Sequence, residues 1–367
     1  MDSTNSEEAL HQKNIEANPN EPEPYIQFGI YLKKMKKTQE AIIQFEKSLK
    51  FRTNDNISLF NLGVCLDSIN KKDEAIKAYE KIKPTSSNYS KAQNNLGLIL
   101  EDINRKEEAI LAFMAAISSN TKYANAYYNL AICLQDLDRN EEALKAYKDT
   151  LAIDPNDFGA RYNYAICLKE LGKLSEAISA FEQVLEIDAK DSSVYYNLGN
   201  CYYELDQKDK AVGFYEKSIE LKPKYFSAWF KKGMCYDHLG DTKQALEDLK
   251  TAVKIRPESI DAHVAIGQIY KKSKNFQEAL KAYEDLMAID PKSYYCYYNI
   301  GKCHSELKNY VLAIKAYQES LKLKPTSVDA WFNLATCLSN TNRKLKASKA
   351  YKEVLKLNPK DDFASYN

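Results

Sequence analysis

Apolar residues recur in this chain at i, i+3, i+4 and i+7, as in Tyr127, Leu130, Ala131 and Leu134, with polar residues between them. That period gathers the apolar side chains on one face of an α-helix. A second amphipathic stretch follows after a short break, and in it Ala143 and Tyr147 stand four apart on a shared face. The small residue lets a facing helix approach while the ring fills the space beside it. Asn70, Asn104, Gly172, Gly240 and Asn342 lie in such breaks, and these residue types tolerate the left-handed conformation that closes a helix C-terminus. Pro155, Pro223, Pro257, Pro291, Pro325 and Pro359 stop the second stretch and pre-set the turn that follows.

The two-helix pattern recurs every 34 residues, marked by Gly29, Gly63, Gly97, Ala131, Ala165, Gly199, Gly233, Gly267, Gly301 and Ala335. Twelve residues after each marker comes an Ala, from Ala41 to Ala347, and four further on an aromatic, with Leu249 as the exception. Ten repeats therefore span residues 22–361, from Pro22 to Asp361. Residues 1–21 form a tail and a degenerate capping half-repeat, in which Glu7 and His11 replace the Ala and the ring; residues 362–367 are a C-terminal tail. A single hairpin of this length cannot bury its apolar face, but stacked copies share a continuous core. The unbroken phase thus predicts one all-α solenoid without a linker. Lys83-Pro84 predicts that the second helix of repeat two ends a turn early, because the residue before Pro is biased out of the helical region. Repeat seven carries Lys231-Lys232 where others carry Asn-Leu, so its packing should differ.

Composition narrows the function. The 367 residues include 52 Lys+Arg and 51 Asp+Glu, so no overall positive field holds a polyanion and nucleic acid is not an expected partner. No stretch approaches the roughly 20 apolar residues of a membrane span, and mean hydropathy is -0.54, so no membrane partner is expected. The polar, acidic first residues resemble no targeting segment, which sets a cytoplasmic expectation. Seven of eight Cys occupy one repeat position, two after the marker, where a small apolar side chain suits the seam between repeats. No CxxC, clustered His, phosphate-binding glycine loop or nucleophile with a nearby base stands out, so neither metal, cofactor nor catalysis is expected.

Aromatic-Leu-Gly followed by Ala, Tyr/Phe and Pro at this period resembles the tetratricopeptide repeat family, over more than nine-tenths of the chain. The resemblance implies a right-handed superhelical solenoid of helix pairs, whose first helices line a concave groove that takes peptides or helices of partner proteins. It implies no chemistry of its own. The expected function is a non-enzymatic scaffold or adaptor. The alternatives are a structural subunit of a large assembly, of cytoskeletal, ciliary or ubiquitin-ligase type, and a regulatory subunit of a separate enzyme. With no further helix after repeat ten, its end is either a tolerated frayed helix or is covered by a partner, another copy or more chain.

Counting positions from the start of each repeat, helical geometry places positions 2, 5, 6, 9, 12 and 13 opposite an expected core stripe of 4, 7, 8 and 11. Position 6 is a ladder of asparagines, Asn61, Asn95, Asn129, Asn163, Asn197, Asn299 and Asn333, interrupted by Lys231 and Ala265. An amide carries a donor and an acceptor and can pair with a peptide backbone whatever the side chains. Tyr128, Tyr162, Tyr196, Phe230, Tyr298 and Phe332 at position 5 add aromatic anchors to the expected groove. The same residues fit the family consensus, so packing inheritance is the competing explanation.

Overall fold

The computed structural model describes residues 2–359 and is all-α: no strand occurs among the described residues, which form twenty-one helices. The first, Asp2–Ala17, precedes ten consecutive hairpins. Its His11 ring stacks on Phe28 at 5.6 Å and packs against Tyr31 at 5.0 Å, so the His takes the packing role of the ring in later repeats. The expected tail 362–367 and the last residues of repeat ten lie outside the described residues.

By its contacts the chain divides into two compact units, Met1–Ala189 and Lys190–Asn367. In the first, a continuous core runs from Phe28 to Cys167 through Tyr79, Phe113 and Tyr147. In the second, core residues gather around Tyr215, Tyr283 and the pair Tyr317 and Tyr351. The Ala twelve after each marker is buried throughout. At Gly63 the reason for a small marker is direct, since an added Cβ would stand 2.7 Å from the Tyr79 ring.

The buried stripe of the first helices differs from the expected one. Position 10 is buried in every repeat, including Cys65, Cys133, Cys167, Cys201, Cys235, Cys303 and Cys337, and position 3 is buried in all but the first. Position 4 is half-buried in repeats four, five, six, seven, nine and ten. Within each unit the stripe is rotated because a first helix packs between its own partner and the second helix of the preceding repeat. Burial raises the thiol pKa of Cys65, Cys133, Cys167, Cys235, Cys303 and Cys337, for Cys235 to about 12, so these six behave as small apolar residues.

Helix starts follow capping chemistry: the side chains of Asp55, Asp157, Asp241, Ser259 and Ser327 accept from backbone N–H groups of the first turn. All ten turn residues at position 15 are left-handed, not only the Asn and Gly residues: Lys36, Asp138, Asp206, Lys274 and Lys308 share that conformation with φ near +60°. In repeat two the second helix covers only Lys72–Glu80, whereas its counterpart in repeat three covers Lys106–Ser119. The helix stops early, as Pro84 implies, and buried Ile82 follows in a turn.

Repeat seven holds a charged group in its core. Lys232 is 7% exposed, Asp248 2%, and their charged atoms lie 3.4 Å apart. Glu216 stands 3.5 Å from the same ammonium, and Gln244 donates to Asp248 Oδ1 at 3.2 Å. Burial raises the Asp248 carboxyl pKa, opposed by Lys232 and Gln244.

Candidate functional site

In each unit the face opposite the packed stripe is built from the first helices. At position 5 the rings turn inward against the second helix of their own repeat: Tyr128 on Tyr147 at 6.1 Å, Tyr162 on Phe181 at 6.0 Å, Tyr196 on Tyr215 at 5.8 Å, Tyr298 on Tyr317 at 6.0 Å and Phe332 on Tyr351 at 5.8 Å. Phe230 departs from this because Leu249 replaces the partner ring; it stacks on Phe226 at 5.9 Å. All six are half-buried, so each leaves one edge at the surface. Lys231 lies over the Tyr203 ring at 5.3 Å.

The asparagines fall into two kinds. Asn129 donates to Asn94 Oδ1 at 2.9 Å, Asn163 to the Tyr128 hydroxyl at 3.2 Å and Asn333 to the Tyr298 hydroxyl at 3.3 Å. Each bond joins position 6 of one repeat to position 5 of the repeat before. Asn95 donates instead to the Tyr79 hydroxyl at 3.3 Å. In all four the side-chain carbonyl accepts no hydrogen bond from the described residues, and each residue is half-buried.

Asn61, Asn197 and Asn299 are buried, and their amides donate back to Ile57, Ser193 and Tyr295 carbonyls one turn earlier. The Asn61 and Asn299 carbonyls are also occupied, by Lys33 and by Lys271 respectively. The ladder is therefore mixed, with outward carbonyls at four rungs and internal commitments at three.

In the first unit the acids Asp67, Glu101, Asp102, Asp136 and Glu170 share positions 12 and 13 with Lys33, Lys34 and Lys169. Lys72 pairs with Asp102 and Lys106 with Asp136, while burial and Asp136 raise the Glu101 pKa. In the second unit Lys271 donates to the Asn299 carbonyl at 2.8 Å, and Lys302, one turn after Asn299, lies 5.9 Å from the centre of the Tyr298 ring. Pattern reading passed over these two because position 12 falls at a helix end, where lysine is ordinary. The available signal was Lys302 at position 9, which elsewhere holds apolar, amide or hydroxyl residues. Among the described residues no group of His, Cys, Asp and Glu is arranged to hold a metal ion, and no helix is long and apolar enough to cross a membrane.

A crystal structure of YrrB, described as a TPR protein with an unusual peptide-binding site, is 27% identical, with 50% of this chain and 95% of that one covered and a TM-score of 0.47. MamA from Desulfovibrio magneticus RS-1 is 19% identical, covering 47% of this chain and 97% of its own at a TM-score of 0.43. Yeast Tom70 is 14% identical, covering 99% and 90% at 0.42. No curated protein matches the sequence. Tetratricopeptide repeat models match residues 58–83, 90–123, 122–190, 192–225, 214–247, 238–296, 294–327 and 316–347. With the 34-residue phase, the helical hairpins and these matches in agreement, the chain belongs to the tetratricopeptide repeat family.

Proposed function

We propose that this protein is a non-enzymatic scaffold that grips a partner peptide or helix on a first-helix face. The observation that carries the reading is the set of side-chain carbonyls of Asn95, Asn129 and Asn163 in the first unit, each fixed by a bond through its own amide nitrogen and left with an unused acceptor. A pre-oriented acceptor costs little side-chain entropy when a partner N–H arrives. The half-buried ring edges of Tyr128, Tyr162, Tyr298 and Phe332 lie at the neighbouring position and supply apolar contact without side-chain rearrangement. The division into ten 34-residue repeats with a capping first helix belongs to the same reading.

Affinity purification of the tagged full chain, followed by titration of the recovered partner, tests it. A chain carrying Asn95→Ala, Asn129→Ala and Asn163→Ala should bind the isolated partner more weakly while keeping its helical circular dichroism. Equal affinity would place the partner on another surface.

A further inference from the structure

We propose that the first unit carries a separate docking groove between the second helices of repeats three and four, which takes an amphipathic helix of a partner protein whose apolar stripe is edged by a lysine or arginine. The groove lies on second helices, so the inference is independent of the peptide-binding reading. Its walls are the helices Lys106–Ser119 and Asn140–Ile153, and Tyr127, Leu130 and Leu134 of the intervening first helix form its floor. Met114 lines the first wall and is 53% exposed, and Leu111, one turn earlier on the same helix, is 67% exposed. Two large apolar side chains on adjacent turns of one helix face are the surface that the i, i+3, i+4 and i+7 anchors of a second helix pack against.

The repeat shows this to be a departure. Met114 stands at position 25, where every other repeat carries a charged residue or Gln. Equivalent grooves occur in the second unit. Between repeats seven and eight, Lys250 and Lys254 stand in place of Met114 and Ser118. There Lys250 lies over the ring of Tyr270, the counterpart of Leu134, at 5.4 Å, so the chain covers that floor with its own side chain. Between repeats nine and ten position 25 holds Gln318. The groove of repeats three and four has no such cover, and its wall is apolar instead.

Charge names the occupant. In the groove of repeats seven and eight the acids Glu278 and Asp285 are accompanied by Lys250, Lys254 and Lys281. Their counterparts Glu142, Asp149 and Lys145 line the groove of repeats three and four, but the first two lysines are missing. Arg139 does not replace them, because it is engaged by Glu142 at 2.7 Å and by Glu107 at 3.3 Å. A partner helix with a basic edge restores what Lys250 and Lys254 supply in the other copy: an aliphatic stem over the floor and a positive charge on the rim beside Asp149.

The test is selection of a displayed library of randomised helical peptides on the full-length protein, after depletion on M114K/S118K, the variant that imports the lysines of the other groove. The enriched helices should carry apolar residues at i, i+3 or i+4, and i+7 beside a Lys or Arg. The best of them should bind M114K/S118K at least tenfold more weakly than the parent, and N95A/N129A/N163A as tightly as the parent. Met114 and Ser118 are both exposed, so M114K/S118K should keep the circular dichroism and melting of the parent. A photo-crosslinker on the same helix locates the site without any variant, and it should label residues 106–119 or 140–153. Enrichment of no helix, helices with acidic edges, equal binding to M114K/S118K or crosslinks elsewhere would each overturn the inference. A helix weakened by N95A/N129A/N163A and untouched by M114K/S118K would overturn it and leave the peptide-binding reading standing.

Discussion

Tyr128 and Asn163 stand 35 residues apart, one more than the repeat, and the Asn163 amide donates to the Tyr128 hydroxyl at 3.2 Å. The extra residue carries the bond from position 5 of one first helix to position 6 of the next, so it staples adjacent repeats on the side away from the core. Tyr298 and Asn333 repeat the relationship at 3.3 Å.

Removing the hydroxyl should loosen that staple without emptying the core, because the Tyr128 ring still packs on Tyr147. Tyr128→Phe is expected to cost about 0.5–1.5 kcal/mol, the net worth of one hydrogen bond. Urea denaturation of Tyr128→Phe, Asn163→Ala and the double variant would measure it as a coupling energy. Independent effects of the two substitutions would show that the pair carries no stability.

The charged group of repeat seven leads to a prediction of opposite sign. Lys232 and Asp248 replace the Leu and Ala of neighbouring repeats, for example Leu198 and Ala282. Restoring both, as Lys232→Leu with Asp248→Ala, should be neutral or stabilise by about 1–4 kcal/mol, since buried ion pairs seldom recover their desolvation cost. Lys232→Leu alone should destabilise by about 3–5 kcal/mol, because it strands a buried carboxylate. Calorimetry of the three proteins distinguishes these outcomes, and a double variant markedly less stable than the parent would refute the argument.

The same group sets a pH dependence. Asp248 has its pKa raised in the folded protein, first by burial. Between the ordinary carboxylate value and the raised one, the folded state binds more protons than the unfolded state, so this group's contribution falls as pH rises through that window. The stability gain of the double variant over the parent should therefore grow from acid to neutral pH. A gain that shrank over that range would contradict the sign.

Much of this architecture is legible in the sequence, and the parts that are not have physical reasons. The phase, the buried Ala and the ring four residues on are set by helix packing, so period alone exposes them, and Pro84 announces the short helix Lys72–Glu80. Bonds between position 5 and position 6 depend on side-chain reach across a seam, which no period encodes. Lys232 marks repeat seven as irregular, but its partner Asp248 lies 16 residues on and reads as one more exposed acid. Lys36, Lys274 and Lys308 in left-handed turns escape notice because lysine has no preference for that conformation, which the hairpin imposes.

Those three turns should be improvable. Lys36, Lys274 and Lys308 hold φ of 60°, 60° and 62°. Glycine meets no Cβ penalty there, so each Lys→Gly substitution should stabilise by about 0.5–1 kcal/mol despite the entropy of the unfolded chain. Gly172 and Gly240 already occupy the equivalent position, with φ of 71° and 85°. Gly240→Lys, the reverse change, should destabilise by a similar amount. If all three Lys→Gly variants melt below the parent, the side chains contribute contacts that outweigh the strain.

The asparagine ladder gives the last prediction, and the two kinds of rung make it specific. Asn129 and Asn163 point unused carbonyls outward, whereas Asn61 and Asn299 have theirs occupied by Lys33 and Lys271. If the outward carbonyls hold a partner's backbone, Asn129→Ala with Asn163→Ala should weaken partner binding by about 1–3 kcal/mol, the worth of two hydrogen bonds. Part of the substitution's cost falls on stability instead, because the bonds to Asn94 and Tyr128 are lost as well. Asn129→Asp separates the two effects: it keeps an outward oxygen and removes the amide donor, so stability should drop while binding is largely retained. Proline scanning of the bound segment should abolish binding where the missing backbone N–H faced a rung. Asn61→Ala is the reference, since its amide is spent inside the protein; it should lower the melting temperature and leave affinity for the isolated partner unchanged. If Asn61→Ala weakens binding as much as the Asn129 and Asn163 pair, the distinction between outward and committed rungs has no functional meaning, and the ladder serves packing alone.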